Sequence, residues 1–204
     1  MAEVKLPELF FGAPEMTWAT LPAASTVTGM TVRVTDVGVG GSFWTSNGTK
    51  WYPTATEVLL ANDQTTLAVT GTTSEVQTFT LTIPAGMMGA NGVLEIVPFF
   101  TYTNSANNKT LRVRFGGTGG TVFSTVTTST SDNNIKYLWI RNANSVSSQK
   151  GPSAGSVNGF GTGTSAGISS AVNTANAVDL VISATLSLST ETVTYIGCRV
   201  SYRE

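Results

Sequence analysis

Apolar and polar residues alternate along most of this chain, which is the period-two signature of half-buried strands. Phe79, Leu81 and Ile83 alternate with Thr80 and Thr82 and stop at Pro84-Ala85-Gly86. Asn91-Gly92 precedes the apolar run Val93 to Phe99, and Leu111, Val113 and Phe115 alternate with Arg112 and Arg114. Gly116-Gly117-Thr118-Gly119-Gly120 reads as a turn into Val122–Val126. Ile135, Tyr137 and Trp139 alternate with Lys136 and Leu138, and Leu180 to Leu188 alternates mostly with Ser and Thr. Ile196, Cys198, Val200 and Tyr202 share one phase, with Arg199, Ser201 and Arg203 on the other. These signals predict about seven or eight strands over residues 58–204, a spacing that fits a two-sheet sandwich of jelly-roll type. No helical period stands out, and residues 168–178 are the best candidate for a short helical turn.

A second, smaller set of strands precedes these. Val32 and Val34 face one way and Arg33 and Thr35 the other; Gly38, Gly40 and Gly41 permit a tight turn, and Ser42 to Thr45 forms the next strand. Asn47-Gly48 predicts a type I′ hairpin, whose two central residues both need positive φ. Lys50-Trp51-Tyr52 is the return strand, closed by Pro53. Trp18, Trp44 and Trp51 supply enough aromatic area for a very small core. The expected architecture is all-β: a tail over 1–16, a small N-terminal β-hairpin module over 17–57 and a jelly-roll-like β-sandwich over 58–204. The polar stretch Pro53-Thr54-Ala55-Thr56 is the linker candidate.

The pattern Trp18-Ala19-Thr20-Leu21-Pro22, followed by Arg33-Val34-Thr35-Asp36-Val37-Gly38 and the spacing of Gly40-Gly41-Ser42, Trp44, Asn47-Gly48 and Trp51, resembles a short module recurrent in bacteriophage tail-fibre, tailspike and virion appendage proteins. The resemblance covers only this module. It implies a virion setting, a connector role without catalytic residues and, by likeness to phage fibres, a homotrimer.

Composition narrows the picture further. Only 11% of the residues are charged and the net charge is -1, so no basic excess is present to meet a phosphate backbone, and nucleic acid is not an expected partner. A surface so poor in charge suits a protein held in an assembly. The single cysteine, Cys198, allows no internal disulfide, which fits synthesis in a host cytoplasm. No signal peptide is read at the start of the chain, because Leu9-Phe10-Phe11 is too short for an apolar core, and no run approaches the length needed to span a bilayer.

Chemistry is sparse. There is no histidine, which removes Ser-His-Asp and Cys-His catalysis and the commonest metal ligand. Glu95, Asp132, Asp179 and Glu191 are the carboxylates a glycosidase pair would draw on, and each reads more simply as an outward strand residue or a turn acid. Asn62-Asp63 and Asp132-Asn133-Asn134 lack the spacing of a calcium loop and read as turns. The glycine-rich stretch from Gly151 to Gly163 lacks the Gly-Lys-Ser/Thr ending of a phosphate loop and reads as a long exposed loop. Tyr137 and Trp139 could stack on sugar rings, but core packing is the simpler reading. Cys198, in phase with Ile196 and Val200, reads as a buried, inert thiol.

The expectation is therefore a non-enzymatic virion structural protein without cofactor or metal. It would be a tail fibre or a capsid or tail appendage, partnered by capsid, portal or tail proteins. Docking would run through the apolar N-terminal residues Val4, Leu6, Leu9, Phe10 and Phe11, by groove insertion or strand addition. The sandwich would be the head, with a host-surface glycan as a further partner reached through loops 102–109, 116–120 and 142–167. The alternatives are a capsid decoration protein or a stand-alone carbohydrate-binding module.

Overall fold

The structure is a computed structural model in which residues 12–130, 137–152 and 167–204 are described. The expected docking residues Val4, Leu6, Leu9, Phe10 and Phe11, the Asp132-Asn133-Asn134 turn, Ile135 and most of the 151–163 loop lie outside the described residues. The chain divides into two compact units, Met1–Ala55 and Thr56–Glu204. Among the described residues the regular structure is β, apart from two 3-10 turns at Trp18–Thr20 and Ala24–Thr26, and no helix is long and apolar enough to cross a membrane.

The first unit is a four-stranded sheet in the order β1 (Glu15–Met16), β2 (Thr31–Val34), β3 (Ser42–Ser46), β4 (Trp51–Pro53). β1 runs parallel to β2, and the other pairs are antiparallel. Val32, Val34 and Trp44 are fully buried, so the alternation read in β2 is the alternation observed. The Trp44 indole donates to Ser42 Oγ at 2.7 Å, and the Trp18 ring meets it edge-on with centroids 4.8 Å apart. The β3–β4 turn is not type I′. Gly48 has φ of +87° but Asn47 does not have positive φ. The pairing of Ser46 with Trp51 leaves a four-residue loop, closed by Asn47 Oδ1, which accepts from the Thr49 and Lys50 amides, each at 2.9 Å. The asparagine side chain caps the loop from within, which removes the need for a left-handed Asn47.

Among its described residues the second unit contains eleven strands: β5 (Val58–Asp63), β6 (Leu67–Val69), β7 (Val76–Ile83), β8 (Val93–Tyr102), β9 (Lys109–Phe115), β10 (Thr121–Thr128), β11 (Leu138–Asn142), β12 (Gln149–Gly151), β13 (Ile168–Ser170), β14 (Val178–Leu186) and β15 (Val193–Arg203). One sheet has the order β10-β9-β14-β7 and the other β13-β12-β11-β8-β15-β5, with β6 also paired to β15. Setting aside the β12–β13 extension, the strands cross between sheets in the double Greek-key order of a jelly roll. The core is filled by Leu94, Ile96, Ile140, Val200 and Tyr202 from the larger sheet and by Ile83, Val113, Phe115, Leu180 and Ile182 from the smaller.

Three sequence expectations fail for reasons of local geometry. Residues 168–178 hold no helical turn, because Ile168–Ser170 pairs with Gln149–Gly151 as β13. In β11 the phase is the reverse of that expected: Leu138 and Ile140 sit opposite Ile96 and Leu94 and fill the core, so Trp139 and the preceding Tyr137 face outward. In β15 an extra residue intervenes between the pairs Tyr195–Phe100 and Gly197–Phe99. This bulge puts Tyr195 and Cys198 both inside while Ile196 is 42% exposed. Gly197 adopts φ of +132°, and a Cβ there would lie 2.3 Å from the Asp63 carbonyl oxygen, so only glycine fits. Cys198 is buried as expected, and burial pushes its thiol up to about 11.

The smaller sheet carries an ion-pair cluster on its outer face. Glu75 accepts from Arg114 Nε and Nη2 at 3.0 and 2.9 Å and from Ser183 Oγ at 2.5 Å, with Arg112 at 3.6 Å. The Arg114 hydrogen bonds, backed by Ser183, hold the Glu75 carboxyl down to about 2 against its partial burial. A depressed folded-state value contributes stability above the usual 4.5 and loses it as pH falls through about 2. Glu75→Gln is therefore expected to lower Tm at pH 7, with the gap to the parent narrowing as pH falls below 4.5; thermal melts across that window check it.

Candidate functional site

Two surfaces of the sandwich bring together side chains suited to contact with another molecule. The first is the outer face of the larger sheet. Tyr137 and Phe99 are 42% and 47% exposed, and Val97 and Ile196 complete an apolar run across β11, β8 and β15. Trp139 stands opposite Glu95 and lies against Arg141, whose guanidinium is 5.8 Å from the indole centroid. Arg203 pairs with Glu95 and Arg199 with Glu57. Burial, together with the nearby Glu57 carboxylate, raises the Tyr137 hydroxyl above its usual range, partly offset by Arg199, so Tyr137 borders that ion pair. The face is thus aromatic and apolar in its middle, with arginine-carboxylate pairs around it.

The second surface is an open cleft of about 370 Å³ at one end of the sandwich, lined by Gly116, Gly117, Val172, Asn173, Asn176, Ala177, Val178 and Asp179. The Gly116 and Gly117 amides both donate to the Asp179 carbonyl, at 3.0 and 2.9 Å, which ties the β9–β10 turn to the start of β14. The opposite wall is anchored by Thr174, which is buried and whose backbone amide donates to the Val146 carbonyl at 2.8 Å. Asn142 Nδ2 donates to Thr174 Oγ1 at 2.8 Å and to the Gly89 carbonyl at 2.7 Å, and Gln149 Nε2 donates to Asn142 Oδ1 at 2.7 Å. Buried amides joined in this way hold a loop in one conformation. The glycines of 116–120 mark the turn in the sequence, but nothing local marks Thr174 as a partner of Asn142, because the fold joins them across 32 residues.

The carboxylates singled out from sequence fall in different places. Glu95 lies on the outer face, as expected of an outward strand residue. Asp179 lines the cleft and accepts from the Thr82 hydroxyl at 2.7 Å. Glu191 is buried rather than a solvated turn acid. Its Oε1 accepts from Asn107 Nδ2 at 2.6 Å and Ser105 Oγ at 2.8 Å, and its Oε2 faces Lys109 Nζ at 3.1 Å. The Asn107 and Ser105 hydrogen bonds, with Lys109, lower its pKa. Lys109 is wholly buried and also donates to Ser105 Oγ at 2.6 Å. The pair anchors loop 103–108 to the β14–β15 turn. Asp63 caps its own turn by accepting from the Thr65 amide and hydroxyl and from Tyr195. Among the described residues no three Cys, Asp or Glu side chains are grouped to hold a metal.

Two of the loops named from the sequence, 102–109 and 116–120, lie at opposite ends of β9. Residues 102–109 precede β9, whereas 116–120 follow it, so the length of that strand separates them, about 20 Å. The described part of 142–167 joins the 116–120 end. Comparison with protein-family models, curated proteins and solved structures finds no match.

If the Asn142–Thr174–Gln149 network holds the cleft wall, Asn142→Leu leaves buried donors and acceptors unpaired. The expected result is a loss of about 2 kcal/mol of stability and faster amide exchange at Gly86 and Thr174, whose amides bond across this segment; chemical denaturation and hydrogen exchange measure both.

Proposed function

We propose that this chain is a non-enzymatic bacteriophage virion protein, a fibre or a capsid or tail appendage. It assembles as a homotrimer and presents its jelly-roll unit as a head toward the host surface. The virion setting rests on the resemblance of residues 17–53 to phage fibre modules. The assembly rests on one observation: the outer face of the larger sheet exposes Tyr137, Phe99 and Ile196 together, beside Trp139, Arg141, Arg199 and Arg203.

Interface cores are enriched in Tyr, Trp, Phe and Arg and poor in Lys, and a few such anchors carry most of the association energy. This face has that composition. Three copies meeting around an axis beside Phe99 and Ile196 would bury the apolar run and leave the ion pairs at the rim. An alternative use of Trp139 and Tyr137 as a sugar platform has less in its favour, because Arg141 already lies against the Trp139 ring.

Light scattering tests the assembly. The parent protein is expected at three times the single-chain 21.3 kDa. Ile196→Glu, which changes an exposed side chain and leaves the core intact, is expected to shift the mass to that of one chain, since a buried charge without a partner costs several kcal/mol at a packed contact. A parent that is monomeric at all concentrations, or a trimer indifferent to Ile196→Glu, contradicts the proposal.

A further inference from the structure

The cleft between the β9–β10 turn and the segment leading into β14 has a chemistry distinct from the aromatic face. Its lining contains one carboxylate, Asp179, two side-chain amides, Asn173 and Asn176, two glycines and the small apolar groups of Val172, Ala177 and Val178. Its described lining contains no Lys or Arg. Its polar groups are incompletely used within the protein. Asn173 Oδ1 accepts from the Ala175 amide at 3.0 Å and Asp179 Oδ1 from Thr82 at 2.7 Å, while Asp179 Oδ2 and the Asn173 and Asn176 side-chain amide nitrogens make no hydrogen bond among the described residues.

We infer that this cleft binds a neutral sugar residue. A sugar carries adjacent hydroxyls that both donate and accept, and a carboxylate with neighbouring amides offers the complementary set. Val172 and Ala177 provide an apolar patch for the C–H face of the ring. With a carboxylate and no cation among the described lining residues, acidic sugars and phosphates are disfavoured by like charge. The volume of about 370 Å³ lies near the lower end of small-molecule sites, roughly 300–1,000 Å³, which fits one or two sugar units. The walls are pre-formed. Thr174 is pinned from behind, the Gly116 and Gly117 amides are fixed on the Asp179 carbonyl, and Gly117, at φ of +83°, has no atom within 4 Å of where a Cβ would stand, so a side chain there would project into open space. Fixed walls reduce the ordering cost of binding. The absence of an aromatic platform in the lining predicts weak affinity, of order 1 mM.

The inference deepens the reading of the unit as a host-facing head, and its test separates the two. Saturation-transfer NMR is run on the full chain with glucose, galactose, mannose and N-acetylglucosamine, and with sialic acid as the charged comparison. Transfer to at least one neutral sugar and none to sialic acid is expected. Ala177→Trp, at an exposed cleft position, is expected to abolish the transfer, and Asp179→Asn to weaken affinity about tenfold; unchanged melting temperatures show that both variants fold. No transfer to any neutral sugar, or transfer that survives Ala177→Trp, overturns the inference. Light scattering of the same samples reads the assembly separately: a trimer without sugar binding removes only the cleft proposal, and a monomer that binds sugar removes only the assembly proposal.

Discussion

One extra residue in β15, taken up at Ile196 and Gly197, sets which side chains the larger sheet shows to solvent. Tyr195 and Cys198 are three residues apart, so in a regular ladder they would lie in opposite phase, and either Val193 and Tyr195 or Cys198, Val200 and Tyr202 would leave the core. With the extra residue, both groups face inward and Ile196 is turned out beside Phe99. The defect has a fixed location because Gly197 combines a positive φ with a backbone approach that admits no Cβ. Tyr195, held inside by the shift, donates to Asp63 at 2.6 Å and packs between Phe79 and Phe100. The bulge thus ties the core to the end of β5 while creating the outward apolar run.

The two ends of the sandwich are secured by different polar devices. At one end, the buried Lys109–Glu191 pair has its charges met by Ser105, Asn107 and the Ser129 carbonyl, so neither ion is left unsolvated without partners. At the other end a neutral network joins the amides of Asn142 and Gln149 and the Thr174 hydroxyl, leaving only Gln149 Oε1 of the network without a hydrogen bond among the described residues. A neutral scaffold keeps the cleft free of competing charge. Among the described residues Asp179 is the one carboxylate in its lining, a balance that suits the uncharged polyol proposed for the cleft.

Much of this fold is legible in the sequence. The alternation in β7, β9 and β14 and the glycine-rich turns give the strands of the smaller sheet with ends displaced by up to three residues, and the small module's three antiparallel strands follow from Val32, Val34, Trp44 and the Asn47-Gly48 turn. What alternation cannot supply is the absolute phase. Tyr137 and Trp139 alternate as cleanly as Leu138 and Ile140, and only the pairing of β11 with β8 decides which pair enters the core. A bulge hides for the same reason, since Ile196 and Cys198 appear in phase until Gly197 is seen to interrupt the ladder. Strands β5 and β6 escape because their partner β15 lies far along the chain, and β12 and β13 because each is only three residues long. The candidate sites were therefore legible as residues, Tyr137, Trp139 and the glycine turn, but not as surfaces.

Hydroxyl-radical footprinting of the assembled protein, set against the Ile196→Glu variant, tests the central claim most directly, because it reports the exposure of individual aromatic side chains. Phe99, Tyr137 and Trp139 should be protected from oxidation in the parent and become reactive in the variant, while Phe43, exposed on the first unit, should react equally in both. Equal oxidation of Phe99, Tyr137 and Trp139 in the two proteins would mean that the outer face is open to solvent in both, and that the contact between copies lies elsewhere or does not form.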